Sequence, residues 1–161
     1  MTSRHPIELF MPPNMLKAKL GGGSGGSDIA ALKRAQEALE SLSTEFAGWL
    51  ASDVKALVDA GTHYAADPGD LNRAALLRAA HDIKGQAATF DFPLVARVAG
   101  SLSRLLDEMP PGREIPAGLV DAHVRAVQVI HRENIKNAGD LMAQTLCAEL
   151  DANVTKTLSG A

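Results

Sequence analysis

Cysteine is almost missing from this 161-residue chain: Cys147 stands alone, inside an apolar-periodic stretch. One thiol can build neither a disulfide framework nor a cysteine metal site, and such usage fits a reducing compartment. Aromatic residues are equally scarce, at 4%, and runs of β-branched residues are rare. Strand formers are therefore few, and the Ala- and Leu-rich remainder favours helix. There is no basic excess: the formal net charge is -3, so the electrostatic footing for a nucleic acid is absent. No apolar run approaches the roughly 20 residues that span a bilayer. The segment from Met1 to Leu20 lacks the basic flank and apolar stretch of a secretory leader. Neither nucleic acid nor membrane is expected as a partner, and a cytoplasmic location is expected.

At this length one main domain is the working expectation. Gly21-Gly22-Gly23-Ser24-Gly25-Gly26-Ser27 is a flexible tether by composition, so residues 1–27 are expected to form an arm and tether, and residues 28–161 the folded domain. Asp28 is suited to cap a long first helix, in which Ile29, Leu32, Leu39, Leu42, Phe46, Trp49, Leu50, Val54 and Leu57 step by three and four, with Gly61 as its stop. Pro68-Gly69 marks a loop, and Asp70 is the expected N-cap of a second helix reaching about Phe90. Asp91, Phe92 and Pro93 break that pattern. A third helix carries Leu94, Val95, Val98, Leu102, Leu105 and Leu106 on one stripe and must end at Pro110-Pro111-Gly112. Pro116 opens a fourth, whose periodicity runs through Val120, Val124, Val127, Ile130, Ile135 and Ala138. Asn137-Ala138-Gly139-Asp140 either kinks that helix or lets Asp140 cap a fifth, to about Val154. No segment alternates as a strand does. The expected fold is all-α: an antiparallel four-helix bundle with a long first helix and a candidate additional C-terminal helix.

The second helix is the informative one. At about 100° per residue, Leu76, Ala79, Ala80, Ile83, Ala87 and Phe90 fall within roughly 60° of one direction, which must face the core. His81 lies about 140° from that axis and Gly85 about 180°. Leu77, Ala88 and Ala74 flank the histidine at about 100°, 120° and 160°. A solvated face normally carries charges, so a histidine ringed by small and apolar residues suggests a docking surface, with Leu77 and Ala88 as its partner contacts. Lys84 follows one turn after His81, at the spacing where helical side chains are neighbours. Gly85 costs about 1 kcal/mol relative to Ala in a helix interior and asks for a reason; a missing side chain lets another protein's loops come close. An unperturbed imidazole, with a pKa of about 6.5, is largely neutral at pH 7 and keeps a ring nitrogen free to attack phosphorus. Taken alone, an exposed histidine or lysine is surface decoration; His-x-x-Lys-Gly opposite a core stripe is a more specific signal.

The string His81-Asp82-Ile83-Lys84-Gly85-Gln86-Ala87, preceded by Leu76-Leu77-Arg78-Ala79-Ala80 and followed by a helix bearing Leu105-Leu106-Asp107-Glu108, resembles the core motif of histidine-containing phosphotransfer (HPt) domains of bacterial two-component phosphorelays. The resemblance covers residues 45–138 in organisation and 71–108 in detail. It implies a helical bundle in which His81 is the phospho-acceptor, Lys84 stabilises the phosphoryl oxygens and Gly85 clears the approach of a receiver domain. It also implies a carrier without ATP-dependent kinase activity or a cofactor of its own, Mg2+ being held by the partner. The partners implied are response-regulator receiver domains, with a hybrid histidine kinase as a further candidate, and a monomer is expected. Two positions depart from the family pattern. Asp91 stands where a glycine is common just beyond the helix, and it too can adopt a left-handed conformation. Gln86 replaces a smaller residue; about 80° from the core axis, it is a candidate hydrogen-bond partner of the site.

The remaining histidines compete poorly. His123 and His131 are about 80° apart around a helix, and no Glu-x-x-His pair exists for a di-iron site, so no metal is expected. Arg97, Ser101 and Arg104 share a face of the third helix, where a solvated polar stripe is the plainer reading. Two rival readings remain. In a dimeric, kinase-like histidine phosphotransferase, Asp82 fits the acidic residue after the histidine, but Gln86 stands where a proline belongs and no ATP lid follows. In a non-catalytic helical adapter, His81 would be incidental.

Overall fold

The computed structural model describes residues 25–160. Residues 1–24, which include the expected arm and the start of the tether, lie outside the described residues. Five helices and no strand occur among the described residues: α1 (Gly25–Ala66), α2 (Asp70–Thr89), α3 (Pro93–Glu108), α4 (Ala117–Arg132) and α5 (Leu141–Ser159). The architecture is the expected all-α antiparallel bundle with an additional C-terminal helix. The chain divides into two units at Ser41 and Leu42.

In the first unit, α1 already begins at Gly25, inside the Gly/Ser run and three residues before the expected cap. From Asp28 to Ser41 every side chain is exposed. Ile29, Leu32 and Leu39, expected on a core stripe, are therefore not core. Periodicity reports that a helix has an apolar face; it does not report what covers that face.

In the second unit, α3 is the central element, packed against α2, α4 and α5, and α4 also meets α5. Its expected stripe, Leu94, Val95, Val98, Leu102, Leu105 and Leu106, is buried. Leu76, Ala80, Ile83 and Ala87 of α2 meet it, with Val120, Val124, Val127 and Ile130 of α4 and Ala143, Cys147, Leu150 and Val154 of α5. Leu50, Val54, Leu57 and Tyr64 are the buried share of α1. Leu42 and Trp49, also on the expected stripe, are exposed. Phe46 instead stacks on Phe90, the residue that caps the end of α2, ring centroids 4.8 Å apart.

Gly61 does not stop α1, which continues to Ala66. A Cβ at residue 61 would stand 3.1 Å from Val124 Cγ2, so this glycine brings α1 and α4 close together. The true helix ends follow backbone chemistry. At the end of α2, Asp91 takes the left-handed φ of 67° and the Phe92 amide donates to the Ala87 carbonyl (2.9 Å), the six-to-one bond of a Schellman cap. The same device ends α4: Asn134 has φ 53° and the Ile135 amide donates to Ile130 (3.0 Å). The fourth helix therefore stops before Ile135, although its apolar spacing runs on; Ile135 packs back against the core from beyond the cap. Asp140 then caps α5, accepting from the Ala143 amide (2.9 Å), and α5 runs past Val154 to Ser159. Asp70 is the first residue of α2 rather than its cap, which is Gly69. Its carboxylate still favours the positive end of the helix dipole.

One arginine ties α2 to the end of α3. Arg73 donates through Nε to the Leu106 carbonyl (2.8 Å) and through Nη2 to that of Met109 (2.8 Å). A guanidinium there satisfies carbonyls that the helix leaves unpaired and opposes its negative end.

Candidate functional site: the exposed histidine face of α2

The core side of α2 fixes the direction of everything else on it. With Leu76, Ala80, Ile83 and Ala87 buried, helical geometry turns His81 outward, and its side chain is exposed. Twenty residues of helix anchored by four buried apolar positions make a rigid mount, so the imidazole is presented without a flexible loop.

His81 lines a groove of about 680 Å³ formed along α2 by Ala74, Leu77, Arg78, Asp82 and Lys84 and along α3 by Gly100, Ser103, Arg104 and Asp107. The two helices contribute differently. The stem of Lys84 passes beside Gly100 of α3: a Cβ at residue 100 would be in ordinary contact, 3.6 Å, with both Cδ and Cε of that lysine. The lysine stem thus lies against α3, and Lys84 lines the groove. Lys84 and Arg78 have no ion-pair partner among the described residues, whereas Arg104 is engaged with Glu108 (3.2 Å) and with Thr155 of α5 (3.3 Å). Two uncommitted cations beside an exposed imidazole can meet a dianionic group.

The residues singled out in the sequence separate in space. His81, Lys84 and Leu77 share the groove. Gly85 is exposed, and a Cβ added there would meet nothing within 4 Å, so packing inside the molecule gives no reason for a glycine. Ala88 is exposed further along α2. Gln86 sits at the core boundary but lines a separate hollow with Trp49, Ser52, Asp53 and Phe90. There its Oε1 and Asp53 Oδ2 are buried without a hydrogen-bond partner. Burial, followed by the nearby Asp82 carboxylate, pushes the Asp53 carboxyl above its ordinary range.

The polar stripe of α3 resolves into three separate tasks. Arg97 pairs with Asp151 of α5 (2.7 Å), Ser101 meets His123, and Arg104 lines the groove. Sequence reasoning missed Gly100, Ser103 and Asp107. Their spacing of three and four on α3, beside the apolar stripe, was the available signal.

The buried histidine is a different object. His123 is fully buried; its Nδ1 donates to the Leu119 carbonyl (2.7 Å), so its Nε2 accepts from the Ser101 hydroxyl (3.1 Å). Burial holds its pKa below the ordinary value, against the opposing pull of the Leu119 hydrogen bond and Asp151. No group of three or more metal-ligating side chains occurs among the described residues, nor does a helix long and apolar enough to cross a membrane.

Comparison with known proteins returns no match among curated proteins and none among solved structures. A family model described as "Hpt domain" matches residues 30–152. That span takes in the exposed histidine, the groove and all but the outer ends of the helical bundle, and the chain belongs to the Hpt domain family, whose members carry out histidine phosphotransfer in phosphorelays.

Proposed function

We propose that His81 is the phosphoryl carrier of this chain, taking the group from the aspartyl phosphate of one receiver domain and passing it to another. In the forward step a ring nitrogen of His81 forms the N–P bond while the acyl-phosphate O–P bond breaks. The receiver aspartate leaves as a carboxylate, and the imidazole gives up its proton to solvent. The reverse of this step on a second receiver returns the histidine.

The observation that carries this reading is the exposed imidazole of His81 on a rigid helix, in a groove that also holds Lys84. Phosphoryl transfer chiefly requires in-line positioning and charge stabilisation. Lys84 supplies a cation one turn from the nucleophile, and Mg2+ on the receiver would supply further neutralisation. Gly85 leaves the flank of the histidine open to receiver loops, and Leu77 and Ala88 offer apolar contact on the same helix. Gln86 lies outside the groove, in the separate hollow that it lines with Asp53, and is given no part in the transfer. On this reading the chain is a carrier in a bacterial-type two-component relay in the cytoplasm, with a hybrid kinase as one source of the group. Residues 28–161 act as the transfer domain and residues 1–27 as an accessory arm.

The test is incubation with phosphorylated receiver domains. The parent chain should acquire base-stable, acid-labile phosphate and His81→Gln should acquire none. Equal labelling of the variant would return His81 to the incidental role it has in a helical adapter.

A further inference from the structure

The amino-terminal stretch of α1 has a face that the phosphotransfer reading does not use. Ile29 and Leu32 are each 70% exposed and Leu39 is 67% exposed, a large apolar area for a helix in water. Leu32, Ala35 and Leu39 are spaced by three and then four residues, the interval of a two-helix seam, and in the sequence the spacing continues at Leu42, Phe46 and Trp49. Asp28, one turn before Leu32, lies on the line of the seam at its amino end, but between Ile29 and Leu39 the charges keep away from it. Lys33, Arg34, Glu37 and Glu40 all project about 110° or more from its centre line. Lys33 and Glu37 approach each other on the far side, 3.9 Å apart. The positions beside the seam are Ala31, Ala38 and Gln36.

We propose that this face is a self-association seam, occupied by the same face of a second copy of the chain. The lack of charge on the strip from Ile29 to Leu39 is what selects that partner. In paired helices, charged residues flanking the seam choose a particular foreign partner or repel an identical one, and here neither device is present. A two-fold contact needs a surface that complements itself, which a strip of leucines between alanines does, since small flanks let two helices come close. From Asp28 to Ser41 this part of α1 buries no side chain of its own, and pairing supplies the apolar burial it lacks. The strip from Ile29 to Leu39 is about 15 Å long on a helix about 10 Å wide. Its pairing buries only several hundred Å2, short of the roughly 1,200 Å2 of a stable complex. The dimer is therefore a weak one that fills as concentration rises, in place of the monomer that the sequence motif alone suggests.

Sedimentation equilibrium of the full 161-residue chain, from about 10 to about 300 µM, tests this range of weak association. The weight-average mass should climb from one chain toward two. The exposed-face double variant Leu32→Glu/Leu39→Glu should stay at the mass of one chain throughout with unchanged circular dichroism, while Glu37→Lys, on the opposite side, should associate as the parent does. A parent that remains at one chain across the range overturns the proposal. So does a double variant that associates like the parent, or a Glu37→Lys variant that loses association as fully as the double variant. None of these readouts uses phosphotransfer, so they stand apart from the role given to His81.

Discussion

Two histidines of this chain, His81 and His123, show how much of a residue's chemistry is decided by where its helix points it. His81 is exposed on α2 in a groove that also holds Arg78, Lys84 and Arg104 with Asp82 and Asp107. His123 is fully enclosed between α3 and α4, with both ring nitrogens in hydrogen bonds. The first has a nitrogen that a partner can reach. The second has none, and its burial favours the neutral ring, which makes it a structural element. The same side chain serves as a candidate nucleophile in one place and as a polar core residue in the other.

The largest effect expected from this contrast is on transfer. His81→Gln should abolish phosphate uptake, a loss beyond about 100-fold in a receiver-to-chain assay, or more than about 2.7 kcal/mol, with the thermal midpoint unchanged. His123→Ala should do the reverse. Removing a buried, doubly bonded ring should lower unfolding free energy by about 3 kcal/mol in a urea titration, while folded protein still takes phosphate at His81. Gly85→Leu should slow transfer about tenfold, near 1.4 kcal/mol, by filling the open flank of the histidine, and far-UV circular dichroism should show the helix intact. Parent-like rates in that variant would sink the proposed line of approach.

Two smaller effects sharpen the structural side. The folded-state pKa of His123 is depressed by burial, so between that value and the ordinary 6.5 the unfolded chain binds more protons than the folded one. Stability from this group is complete above about pH 6.5 and falls as the pH drops through the window below it. Urea midpoints between about pH 7 and 5 should fall more steeply in the parent than in His123→Gln, which has no proton to gain. The least effect is expected at the end of α2. Asp91 holds a φ of 67°, which glycine adopts without strain, so Asp91→Gly should raise the thermal midpoint by an amount equivalent to about 0.5 kcal/mol or more.

The sequence revealed the α2 face well because one pattern determined it. Four buried positions at helical spacing fix an axis, and His81, Lys84 and Gly85 follow by rotation. The groove was only half legible, since its other wall belongs to α3 and nothing local to His81 announces that Gly100 will carry the stem of Lys84. Helix ends were misjudged where a residue's usual habit lost to tertiary packing or to a cap. Gly61 stays helical because close contact with Val124 outweighs its helix-breaking tendency, and Asn134 ends α4 by adopting a left-handed conformation that apolar spacing does not foresee. The exposure of Ile29, Leu32 and Leu39 was hidden for a different reason, because an apolar stripe looks the same whether a bundle or a second molecule covers it.

The most direct measurement is to locate the phosphate. The full chain is mixed with a phosphorylated receiver, quenched at alkaline pH and analysed residue by residue by mass spectrometry. A single phosphoryl group on His81, lost on brief acid treatment, is the predicted outcome. Phosphate on any other residue, or none after exposure to a broad panel of receivers, would contradict the account.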